Sequence, residues 1–226
     1  MRTKILTHKL LAAAALLEVL DVVGTLVCAA RLPATVPTHF DLHWVCDGVG
    51  SPMTALWSAF VPVVYLVLGA VLTRGQSAQN RHIIELVMFL MTGMCVMGQA
   101  FLLAGMASGV QIGETHESPL VWPLLMGLAI LFTAIGNELP RVRQNAMLGI
   151  RIRATLTDEA CWRAVHRFAG TLWVIGGLIL LAADLVMWLV GCPPAVGFTV
   201  LIVGTTLLLT VPVVYAVRFP KTSQKS

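Results

Sequence analysis

Phe168–Val190 reads FAGTLWVIGGLILLAADLVMWLV, an apolar run of 23 residues whose one charged member is Asp184. About 20 apolar residues at 1.5 Å per residue cross the hydrocarbon of a bilayer, so this segment is read as a membrane-spanning helix. Working outward, five more runs satisfy the same test: Leu10–Ala30, Met53–Leu72, Ile83–Ala107, Leu120–Ile135 and Ala195–Val217. The whole chain of 226 residues is 58% hydrophobic and only 12% charged. That composition excludes a sizeable soluble domain and predicts an all-α polytopic membrane protein. Pro62, Pro123 and Pro212 fall inside spans, where lipid-embedded helices accommodate proline by kinking.

Charge sets the expected orientation. Fourteen of the fifteen Lys and Arg precede span one, follow span six, or lie in the loops between spans two and three and between spans four and five. Arg31 alone lies in the opposite loops, which by the positive-inside rule predicts both termini in the cytoplasm of a multi-pass cell-membrane protein. Trp44, Trp57, Trp122 and Trp188 are expected near outer ends, and Trp162, Trp173 and Tyr215 near inner ends, as interfacial belts. The N-terminal run is read as a span and not a signal peptide, because it is about twice the usual apolar length and holds Glu18 and Asp21. The chain divides into residues 1–52, 53–135 and 136–226, that is, span one with its loop, spans two to four, and the remainder.

Two loops carry the distinctive residues. The first outer loop, 31–51, has extended backbone forced by Pro33 and Pro37 and turn chemistry at Asp47-Gly48 and Gly50-Ser51. His39 and His43 stand four apart with Asp41 between them, and His116 lies on the neighbouring outer loop. Shared metal ligation would need a helix there, which the prolines disfavour, so no metal and no cofactor are expected. Cys46 and Cys192 face the same side, as a disulfide or as two free thiols. On the cytoplasmic side Thr157 is read as an N-cap followed by Asp158 and Glu159, acids that favour a helix start. The resulting amphipathic helix before span five places Trp162, Val165, His166 and Ala169 on one stripe and Arg163 and Arg167 on another. Six arginines beside a membrane suit lipid phosphates or a cytoplasmic partner.

The same loops carry a resemblance. Leu32-Pro33 through Val36-Pro37-Thr38-His39-Phe40 to Asp47-Gly48 looks like the LP-x-x-VPTHF outer loop of a bacterial membrane domain of unassigned function. Asn137, Leu139-Pro140, Gly149-Ile150-Arg151, Thr155-Leu156, Trp162, His166-Arg167 and Gly170 resemble the signature of the sporulation-delaying-protein (Sdp) toxin immunity family of six-span membrane proteins. The resemblance implies protection against a secreted, membrane-active peptide toxin, and a receptor role in which a cytoplasmic transcriptional repressor is held at the membrane. Toxin or partner contacts are expected in the outer loop at Pro37, His39, Phe40, Asp41, Asp47 and Gly48, and no direct nucleic-acid binding is expected. The chain departs from the family at Ile152-Arg153-Ala154, commonly Thr-Pro-Trp, and at Pro52, commonly Lys.

Glu18, Asp21 and Asp184 lie within spans, where a charged side chain costs at least about 2.5 to 3.5 kcal/mol. They are expected to be protonated, paired or turned toward a shared polar interior. Proton- or solute-coupled transport is the alternative function they raise. No GxSxG, HExxH or Gly-rich phosphate loop is present, so the chain is not expected to be an enzyme.

Overall fold

The computed structural model describes residues 9–41, 43–116 and 120–219. Arg2, Lys4, Lys221 and Lys225, which entered the charge count, lie outside the described residues. The helices are α1 (Lys9–Ala29), α2 (Ala55–Ala59), α3 (Val61–Leu72), α4 (Ala78–Met106), α5 (Val121–Glu138), α6 (Arg153–Thr157), α7 (Glu159–Leu189) and α8 (Pro194–Arg218). Six helical segments are long and apolar enough to cross a membrane, the second formed by Pro52–Leu72. Large apolar side chains such as Leu16, Val64, Ile179, Ile202 and Val217 point away from the bundle. That is the arrangement of a protein whose solvent is lipid.

The second span is interrupted at Phe60, two residues before Pro62, whose missing N–H leaves the Ser58 carbonyl without its helical donor. Pro123 sits in the first turn of α5, where no donor is needed, and Pro212 lies within α8. The fifth span differs from the expected helix followed by a span. Asp158, not Thr157, is the N-cap, accepting from the Ala160 and Cys161 amides at 2.7 and 3.1 Å, and α7 continues without a break to Leu189. Thr157 instead ends the short α6, its hydroxyl donating to the Arg153 carbonyl.

The helices form two groups joined where α4 meets α5. In one, α1 packs on α4, α2 and α3; in the other, α7 lies between α5 and α8. The α5–α7 crossing is built on small residues. A Cβ on Gly136 would stand 2.7 Å from the Trp173 Cβ, one on Gly170 2.8 Å from the Gly136 carbonyl, and one on Gly177 2.8 Å from the Ala129 carbonyl. Backbones approach that closely only where side chains are absent. Beside this crossing Val121, Trp122, Leu125, Ala129, Leu180, Leu201 and Leu208 form the main apolar core.

Two expectations are corrected. Trp122 and Trp162 are 6% and 1% exposed, so they belong to the protein interior and not to an interfacial belt, whereas Trp57 is 80% exposed. Asp184 does not share an interior with Glu18 and Asp21: it lies on α7, in the α5–α7–α8 group, while the other two face α4 from α1. The shared periodicity of the spans carried no information about which helices become neighbours.

Candidate functional site

At one end of the bundle the loop after α1 folds into an antiparallel hairpin, β1 (Val36–Phe40) and β2 (Cys46–Gly50), pairing Val36 with Gly50, His39 with Gly48 and Phe40 with Cys46 across two irregularities. Asp41 ends β1 and organises the turn: its Oδ1 accepts from the Val45 and His43 amides at 2.9 and 2.7 Å. Those bonds, led by Val45, hold the Asp41 carboxyl below its ordinary range. Trp44 then takes φ +62, a left-handed conformation that a bulky side chain adopts only under constraint from its surroundings. The constraint is the next loop. His116 N–H donates to the Trp44 carbonyl at 2.9 Å, and Cys46 exchanges backbone bonds with Glu114 and Gly113, both at 2.8 Å.

Thus two loops far apart in sequence make one cap. His39 Nδ1 meets Asp47 Oδ1 at 2.5 Å across the hairpin, and Gly48 is required opposite His39, whose Cβ would stand 3.0 Å from an added one. Between cap and α4 lies a cleft of about 210 Å³ lined by Pro37, His39, Phe40, Trp44, Phe101 and His116 among others. Its walls are aromatic: Trp44 and Phe101 meet edge to face at 6.0 Å, and the tilted rings of Phe40 and His116 lie 6.1 Å apart. A second cleft of about 530 Å³ continues beneath Pro33, Val36 and Val49 toward Met106 and Ile112. The structure therefore brings together Pro37, His39, Phe40, Asp41, Asp47 and Gly48, with Asp41 shaping the turn outside the smaller cleft. Trp44, Phe101 and Gly105 line it without having been singled out for it, and nothing local in the third span marks them. Cys46 and Cys192 are free thiols.

The opposite end gathers the second signature. Trp162 Nε1 donates to the Val142 carbonyl at 2.8 Å, and the Trp162 and His166 rings stack at 4.0 Å. Ile150 N–H donates to His166 Nε2 at 3.0 Å, so the imidazole carries its proton on Nδ1, which donates to the Trp162 carbonyl at 2.9 Å. Gly149, at φ +106, passes over this imidazole, where any Cβ would collide with Nε2. The Pro140 ring fills the space that a side chain on Gly170 would need. Asn80 of α4, not anticipated, clamps the Arg143 backbone through two hydrogen bonds of 3.0 and 3.2 Å. Arg151 donates to the Ala146 carbonyl, while the bonds that involve side chains at Asn137 run, among the described residues, to near neighbours, its side-chain amide to Glu138 and its backbone carbonyl from Arg141. Arg167 is exposed, as are Arg141, Arg143, Arg151, Arg153 and Arg163. The buried members lock the loop onto α7; the arginines form its surface.

That locked loop begins the stretch over which the SdpI/YfhL protein family matches, residues 141–216. Over that stretch, about a third of its length, the chain is similar to the SdpI/YfhL family. Immunity protein SdpI of Bacillus subtilis (strain 168) is 24% identical over 149 residues, 66% of this chain and 69% of that protein. No solved structure matches the chain. Within the SdpI/YfhL match fall Gly149, Arg151, Trp162, His166, Arg167 and Gly170, together with α7 and most of α8; Asn137, Pro140 and the hairpin lie before it.

Proposed function

We propose that the protein is a cell-membrane immunity protein whose hairpin cap faces outward and binds a secreted, membrane-active peptide toxin. The observation that carries this reading is the aromatic cleft between the hairpin and α4, in a chain 24% identical over 149 residues to an immunity protein. The chemistry of the cap specifies the occupant. Apolar and aromatic walls suit a hydrophobic side chain, and exposed Asp41, Asp47 and Glu114 around them suit a cationic peptide. The charge distribution of the loops supports the orientation, with the arginine surface and both termini in the cytoplasm.

At the cytoplasmic end the reading assigns two roles. Trp162, His166, Gly149, Pro140 and Gly170 hold the loop rigid, and Arg151, Arg163 and Arg167 meet lipid phosphate or an acidic face of a transcriptional repressor. Binding is the chemistry assigned to both ends, and no catalytic step. The test is binding of a fluorescent apolar, cationic peptide toxin to the full-length protein in nanodiscs. Phe40→Ala and Phe101→Ala should each weaken it by about tenfold or more, as loss of an aromatic anchor does. Equal affinity in both folded variants would remove the cleft from the mechanism.

A further inference from the structure

The α1–α4 interface contains polar groups that the immunity reading leaves unused. Ala14, Glu18, Asp21, Thr25 and Ala29 recur at three- and four-residue steps along α1, a seam turned toward α4. On α4 the facing seam runs Glu85, Thr92, Gln99 and Met106, at heptad spacing. Glu18 is 3% exposed. Both its carboxyl oxygens, Asp21 Oδ2 and the Thr25 hydroxyl are buried without a hydrogen-bond partner among the described residues.

The basic residues of the two helices, Lys9 of α1 and Arg81 and His82 of α4, stand near the helix N-termini, and none acts on Glu18 or Asp21. From α3 the Tyr65 hydroxyl lies within electrostatic reach of Glu18, but it donates to Thr92 Oγ1 at 3.1 Å. From α4, Cys95 is within reach of both Glu18 and Asp21, and Glu85, farther along, is already engaged. From α2 comes Ser58, whose hydroxyl is bonded to Gln99 at 2.8 Å. No group of three or more His, Cys, Asp or Glu suited to a metal ion occurs among the described residues. Two carboxyls one helical turn apart, inside a membrane and without a basic partner, are not both ionised.

We propose that Glu18 and Asp21, with the Thr25 hydroxyl beside them, form a proton-binding site within the membrane. The event is a protonation: one O–H bond forms on the carboxyl pair, the proton coming from hydronium and leaving water behind. The Thr25 hydroxyl, four residues beyond Asp21 on the same seam, is the neutral group placed to donate to the ionised form. Further polar side chains, Glu85, Thr92 with Tyr65, and Gln99 with Ser58, recur along the same seam at seven-residue steps. The inference goes beyond toxin immunity and does not rest on it.

Infrared difference spectroscopy of the full-length protein in nanodiscs tests it. The wild type should show a protonated-carboxyl C=O band that shifts in D₂O, disappears reversibly as pH rises, and is indifferent to exchanging choline chloride for NaCl. The band should be lost in Glu18→Gln, and its transition moved in Asp21→Asn, while Asp184→Asn retains it. A second measurement needs no variant: dicyclohexylcarbodiimide should label the peptide containing Glu18 and Asp21 in acid and cease to do so in base. A Glu18-dependent band that persists at every pH would overturn the proposal in favour of permanently neutral packing groups. So would protection by NaCl, which would make the site one for sodium, or a wild-type spectrum and labelling pattern without any pH dependence at these residues.

Discussion

The α5–α7 and α1–α4 interfaces are both long helix pairs inside one membrane bundle, and they are held together by opposite means. The first is made of absent side chains: Gly136, Gly170 and Gly177 let two backbones touch, with the Trp162–His166 stack and Pro140 closing the end. The second is made of polar side chains, several of them without partners. Lipid provides no hydrophobic push between helices, so close packing and hydrogen bonds are the remaining sources of association. Close packing gives one fixed arrangement. Unpartnered carboxyls give an interface whose stability changes with what neutralises them. The family match, residues 141–216, covers α7, most of α8 and the loop locked onto α7, and none of the polar seam.

Substitutions should separate the two interfaces, and the largest effect belongs to the rigid one. Trp162→Ala should cost about 3–5 kcal/mol, because it removes a fully buried aromatic side chain and leaves the Val142 carbonyl unpaired. Thermal unfolding followed by size-exclusion chromatography in detergent would register this as loss of folded protein. Gly177→Ala should cost about 1–3 kcal/mol in the same assay, since its new methyl meets backbone at Ala129 and Thr133 that cannot yield. Glu18→Met should move the other way, raising stability by about 1–3 kcal/mol as an unsatisfied buried carboxyl is replaced by an apolar chain. If it destabilises as strongly as Gly177→Ala, the contrast between the interfaces fails. Gly98→Ala, on an open face of α4, should raise stability by about 0.5–1 kcal/mol through helix propensity alone.

The smallest effect is a pH dependence at the cap. Asp41 is held below the usual carboxylate range by the Val45 and His43 amides, so its contribution is complete above that range and is lost as pH falls through its lowered value. Hydrogen exchange at the Val45 amide, corrected for its intrinsic pH dependence, should stay slow at neutral and mildly acidic pH and rise only in stronger acid. Asp41→Asn, which keeps the acceptor oxygen, should abolish that rise.

Much of the bundle was legible because a membrane demands a long apolar run for each crossing, and the six runs lie within a few residues of the helical segments, apart from the extra N-terminal turns of α4 and α7. The buried stripe Trp162–Val165–His166–Ala169 was legible for a similar reason, since it follows the helical repeat. The hairpin was not. Five-residue strands containing Pro37, Gly48 and Gly50 carry no strand periodicity, and the turn between them is held at Trp44 and Cys46 by a loop more than sixty residues away, Gly113–His116. The cleft was half legible: the loop residues formed a motif, but Phe101 and Gly105 are indistinguishable in sequence from the lipid-facing residues around them. Gly170 stood in the signature without its reason, which is the Pro140 ring that packs where its side chain would be.

The central functional claim is that the hairpin cap protects a membrane from a peptide toxin. The direct measurement is membrane potential, read with a voltage-sensitive dye in toxin-sensitive cells as an Sdp-type peptide is added, comparing cells without the protein, with it, and with its Phe40→Ala variant expressed to the same level. The account predicts sustained polarisation with the wild type and collapse in the other two. Collapse in all three cultures would contradict the immunity reading, and sustained polarisation with both forms of the protein would contradict the role given to the cleft.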